Sequence, residues 1–197
     1  MRGLAPDWSA CRGEHLDRER HHLFALGVPR TAVDDFEVVG VTRALIEARH
    51  WQPEEDAGAQ AVVVTVRGDP DGNIDHPQWQ EQVRRGTLLD LCAFLPSNPS
   101  RWAVRRGSAS VLGAVRPQYL SPAPVAVWRD PLAWLRALGE GVVLLTEDRA
   151  EMQRILPSFP GGVVAEDADH GRELRSLLER PALVPPVFVR DAARGAA

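Results

Sequence analysis

The segment AVVVTV at residues 61–66 constrains the fold more than any other part of the chain. Its β-branched side chains are stiff at χ1 and pack well on a pleated surface, so the segment reads as a strand. A strand needs neighbours. Residues 38–48, 88–95 and 101–106 supply them, the last two separated by the turn sequence PSNPS. Residues 53–58 and 69–77, both broken by Pro and Gly, read as connecting loops, and residues 110–112 as an extension of the last strand. This half is therefore expected to be a largely antiparallel β-meander. Ahead of it lie residues 14–26, a helix with Leu16, Leu23 and Phe24 on one side and Gly27 to end it, and residues 29–36, a second short helix.

The rhythm changes after the proline-rich residues 117–124. Asp130-Pro131 is a helix start, since Asp caps and Pro is tolerated at the first position. Leu132, Leu135 and Leu138 follow at helical spacing. Residues 141–145 (GVVLL) and 162–165 (GVVA) read as short strands, residues 147–156 and 168–180 as helices, and residues 187–190 as a last strand. The expected fold class is α+β: an N-terminal helical hairpin and antiparallel β-meander, then a small βαβα unit with a mixed or parallel sheet. Residues 1–197 are expected to form one domain, with sub-portions 1–116 and 125–191.

No run of apolar residues is long enough for a transmembrane helix, and residues 1–11 lack the basic start and apolar stretch of a secretory signal. Cys11 and Cys92 are far apart and show no metal-ligand spacing, which points to reduced thiols and a cytoplasmic address. All 23 basic residues are arginine, which excludes Schiff-base and P-loop lysine chemistry.

Two constellations stand out. The first is basic: Arg84, Arg85, Arg101, Arg105, Arg106 and Arg116 stand against a single acid, Asp90, with Trp102 inside the stretch and Trp79 and Tyr119 flanking it. Arginines that follow phosphates beside rings that stack on bases would bind single-stranded nucleic acid. Strand alternation, however, puts Trp102 with Val104 on one face and Arg101 with Arg105 on the other, which favours a buried Trp102. The second is acidic: Glu147 and Asp148 follow one strand, and Glu166, Asp167 and Asp169 another. Carboxylates at the carboxyl ends of parallel strands would suit Mg²⁺ and phosphodiester chemistry, although Asp167 or Asp169 serves equally as a helix cap.

Glu147 and the Asp167-Ala168-Asp169 pair resemble the acidic points of a Toprim domain, which implies a reduced Mg²⁺ site at Glu147, Asp167 and Asp169. The spacing departs from that family. Only residues 148–166 intervene, and Asp148 stands where a glycine is usual. Two weaker patterns read structurally. Leu26-Gly27-Val28 with Val33 and Phe36 has helix-turn-helix spacing, but Asp34, Asp35 and Glu37 would repel phosphate, so a packed hairpin is expected. His15, His21 and His22 near Cys11 match no closed zinc site, and His170 reads as a packing or capping residue.

From Asp90 to Pro181 the chain also resembles uncharacterised proteins of prophages and mobile elements in GC-rich bacteria. The matching residues are Asp90-Leu91 with Ala93-Phe94, Arg101-Trp102 with Arg105 and Gly107, Leu112-Gly113, Trp128-Arg129, Pro131-Leu132, Trp134-Leu135-Arg136, Ala165-Glu166-Asp167, His170 and Leu174-Arg175. That resemblance implies an accessory, non-enzymatic role acting through protein or nucleic-acid contacts. A structural or assembly role, with tryptophans at a subunit interface, is a third expectation.

Overall fold

The computed structural model describes residues 4–11, 16–34, 39–68, 87–113 and 122–179. Three helices come first: α1 (Leu4–Ala10), α2 (Leu16–Ala25) and α3 (Arg30–Asp34). Five strands follow, β1 (Val39–Glu47), β2 (His50–Pro53), β3 (Ala59–Gly68), β4 (Thr87–Leu95) and β5 (Asn98–Val104), and they close into a barrel of order β1-β2-β5-β4-β3. Strand β4 pairs antiparallel with both β3 and β5. Strand β2 meets β5 in parallel at His50 and Val104, and the β1–β3 ladder completes the ring.

The two faces of these strands have different partners. Ala44, Ile46, Trp51, Ala61, Val63, Leu91, Ala93 and Ala103 come from all five strands and cluster together, which marks the barrel interior. Alanines on four strands leave room for Trp51, which is fully buried and donates its indole N–H to Leu91 O at 3.0 Å. Helix α1 adds Leu4 and Trp8 to this cluster, and the residue after it adds Cys11. This segment approaches so closely that a Cβ at Gly40 would lie 2.8 Å from Cys11 O. The opposite face presents Val62, Val64, Cys92, Phe94 and Trp102 to Leu23, Val28 and Val33 of the α2–α3 hairpin. Continuous apolar sequence in β3 follows from burial on both faces. Among the described residues, the Leu26-Gly27-Val28 pattern is this packed hairpin, with Gly27 at φ 81° in its turn.

The second sheet comprises β6 (Val111–Leu112), β7 (Val125–Trp128), β8 (Val142–Leu144) and β9 (Val163–Ala165), in the order β6-β8-β7-β9. The β7–β8 and β7–β9 pairs are parallel, whereas β6 runs antiparallel to β8. Helices α4 (Pro131–Arg136), α5 (Arg149–Ile155) and α6 (Ala168–Glu179) complete the unit. Asp130 caps α4 by accepting from Ala133 N at 2.9 Å, and Asp148 caps α5 through Ala150 N at 2.8 Å. Leu112, Leu132, Trp134, Leu135, Val143 and Leu145 join the same apolar cluster as the outer barrel face, so one core runs through both units.

The α+β class is as expected from the sequence. Three details differ. Strands β2 and β7 were not anticipated, because HWQP and VAVW are too short to show alternation. Residues 110–112 do not prolong the first sheet: β6 crosses to the second and pairs with β8. The expected last strand at 187–190, the loop at 69–77 and residues 117–121 of the proline-rich segment 117–124 lie outside the described residues. Among the described residues, no helix is long and apolar enough to cross a membrane.

Candidate interaction cleft

Two arginines of the basic stretch, Arg101 and Arg105, are engaged within the protein. Arg101 donates from Nη2 to Ile46 O at 2.9 Å. Arg105 pairs through Nε with Asp7 Oδ2 of α1 at 3.1 Å, and its guanidinium lies 5.6 Å from the centre of the Trp51 ring. Trp102 is 5% exposed. Arg84, Arg85 and Arg116, with Trp79 and Tyr119, lie outside the described residues.

The single acid of the stretch organises the turn after β5. Asp90 is fully buried. Its Oδ1 accepts from the amides of Leu91 (2.8 Å), Arg105 (3.1 Å) and Arg106 (3.0 Å), and its Oδ2 from that of Ser108 (2.8 Å). Consecutive amides converging on an anion form the kind of nest that elsewhere cradles phosphate. Here an internal carboxylate fills it.

The acidic set is dispersed. Strand β7 lies between β8 and β9, so Glu147 and Asp167 follow strands that are not neighbours. Glu147 turns to the barrel and accepts from Arg49 Nε at 2.6 Å. Asp167 caps α6 by accepting from His170 N at 2.7 Å, and it pairs with Arg129 at 3.4 Å. Asp169 pairs with Arg172 one turn along α6. Among the described residues, no group of three or more His, Cys, Asp or Glu side chains is placed to hold a metal ion. Glu147, Asp167 and Asp169 therefore share no site.

The remaining reactive groups are quiet. Burial, with Asp7 nearby, pushes the Cys11 thiol up to about 12. Burial and then Asp90 raise Cys92 further still. Both thiols stay protonated and unreactive at neutral pH. His170 is buried and accepts from Glu166 N at Nδ1 (3.3 Å). Its pKa is lowered by burial first and by Arg129 second, so the ring is neutral near pH 7. His21 stacks edge-on with Phe24, and His15 lies outside the described residues.

One opening gathers polar groups from both units. A cleft of about 430 Å³ lies where the barrel meets the second sheet. The barrel side contributes Glu47, Arg49, His50 and Arg106, and the other side Thr146, Glu147 and Glu151. Val104, Ala109 and Leu145 supply its apolar lining. Arg49 is the best-fixed group. Its guanidinium sits 4.0 Å from the centre of the Trp102 ring, Nη1 donates to Trp102 O at 3.4 Å, and Nε meets Glu147. Arg49 belongs to the tight β1–β2 turn, where Ala48 is held at φ 50°, a left-handed conformation that costs a non-glycine residue energy. Val104 N donates to Arg49 O at 2.9 Å and anchors that turn on β5. Opposite, Glu151 accepts from the Ser110 hydroxyl. Its pKa is lowered, by Ser110 first and then by Thr146, so it stays ionised.

No protein-family model, curated protein or solved structure matches the chain.

Proposed function

We propose that this chain is an accessory, non-enzymatic binding protein of a phage or mobile element, and that its partner is a protein engaged at the cleft between barrel and second sheet. The observation that carries the reading is the internal engagement of Arg101 and Arg105 in the basic stretch. Arg101 is bonded to Ile46 O and Arg105 to Asp7. A nucleic-acid surface needs those groups turned outward to phosphate. The cleft itself carries Glu47, Glu147 and Glu151 against Arg49, Arg106 and His50. That near balance of sign does not attract a polyanion, whereas protein surfaces routinely meet through mixed charge. The buried thiols and the capped carboxylates are consistent with a non-enzymatic role.

His50 lies on the exposed rim of the cleft. With His50 replaced by the photo-crosslinking residue p-benzoylphenylalanine, irradiation in the native host is expected to trap protein adducts. The same group at exposed Gln60, away from the cleft, should trap none. Saturable binding of a single-stranded oligonucleotide at low salt, or nucleic-acid adducts at position 50, would overturn the reading.

A further inference from the structure

We infer that the cleft recognises an extended partner segment carrying an acidic and a basic side chain on either side of an apolar one. This rests on the protein-binding reading and specifies the chemistry of the partner. The two walls have opposite character. Arg49, His50 and Arg106 stand on the barrel wall, where Glu47 alone among the described lining residues is negative, and Glu147 and Glu151 stand on the other, with Val104, Ala109 and Leu145 among the lining. Arg49 is held on the Trp102 ring independently of Glu147, so it keeps its place when Glu147 moves. The Arg49–Glu147 pair is 39% and 67% exposed, and solvent-exposed pairs of this kind contribute little. A guest can therefore exchange partners with it: the guest carboxylate takes Arg49 and the guest cation takes Glu147. One intramolecular ion pair is given up for two with the guest, and an apolar contact is added.

A purely acidic guest would meet Glu147 and Glu151, and a purely basic one would meet Arg49 and Arg106. Each leaves one wall opposed by like charge, which is costly at a binding surface. The guest chemistry is set by the two walls together.

The test uses the whole protein and three labelled peptides of about eight residues, long enough to cross the cleft at roughly 3.3 Å per residue. One places Leu between Glu and Arg, one between two Glu and one between two Arg. Fluorescence anisotropy should rank the mixed peptide about tenfold tighter than either single-sign peptide. Arg49→Gln should shift the preference toward the basic peptide, and Glu147→Gln toward the acidic one. These opposite shifts are a readout that general destabilisation does not produce, and unchanged circular-dichroism melts confirm folding. The inference is overturned if a single-sign peptide equals the mixed one, if both substitutions shift preference the same way, or if no peptide binds at about 1 mM. Crosslinks at position 50 that persist through such a failure leave the protein-binding reading standing; their loss removes it as well.

Discussion

The barrel and the second sheet handle charge in opposite ways. In the barrel, Asp90 is fully buried and satisfied by backbone amides, while Arg105 lies over Trp51 and reaches Asp7 on α1. In the second sheet the acidic partners at strand ends stay open to solvent. Arg129 meets Asp167 and Glu173, whose side chains are 55% and 66% exposed. Buried polar groups are costly to orphan and exposed pairs are not. The barrel should therefore be brittle toward polar substitution, and the second sheet tolerant. The comparison also places the cleft: it lies where the consuming unit meets the displaying one, and Arg49 and Glu147 reach across from each.

The sharpest way to break this contrast is Asp90→Ala. It strips the acceptor from the amides of Arg106 and Ser108, at about 1–3 kcal/mol each, so urea unfolding should lose roughly 2–6 kcal/mol. A loss below about 1 kcal/mol would mean that water replaces the carboxylate and the turn is not built around it. Trp51→Phe comes next. It removes the indole bond to Leu91 O and weakens the Arg105 contact, for roughly 1–3 kcal/mol in the same assay.

On the other unit, Asp148→Ala removes the cap of α5 and should lower stability by about 1 kcal/mol, with faster amide exchange confined to Arg149–Ile155. If exchange also rose in β3 and β4, the shared core would transmit the loss and the two units would not differ in brittleness.

The smallest expected effect is on pH dependence. The folded pKa of His170 is lowered by burial, so the unfolded chain binds the proton more readily. The stability this neutral ring contributes is complete above its ordinary value of about 6.5 and is lost as pH falls below that value toward the folded pKa. His170→Gln should flatten the stability curve between about pH 7 and 5. An equally steep curve in the variant would assign the slope to other groups.

Much of this architecture was legible in the sequence because it depends on local chemistry. The β-branched run of β3, the Asp130-Pro131 start of α4 and the strands GVVLL and GVVA all announce themselves through propensity and capping. So did the burial of Trp102, through simple alternation with Arg101. The sequence also located every charged residue of the basic and acidic stretches, but not their partners. Asp90 sits fifteen or more positions from three of the amides it accepts from, and Arg49 is 98 positions from Glu147.

Short strands such as β2 carry too few residues to show a period, so barrel closure could not be read from the pattern. What the sequence by itself determined was the α+β class and most element positions, because propensity, capping and alternation act over a few residues. Only the tertiary structure decided which charges are consumed and which are displayed. Closure of the barrel turned Arg105 and Asp90 toward internal partners, and its docking on the second sheet brought Arg49, Glu147 and Glu151 to one cleft. Those contacts join residues far apart in the chain, and their energies depend on burial, which no local stretch of sequence specifies.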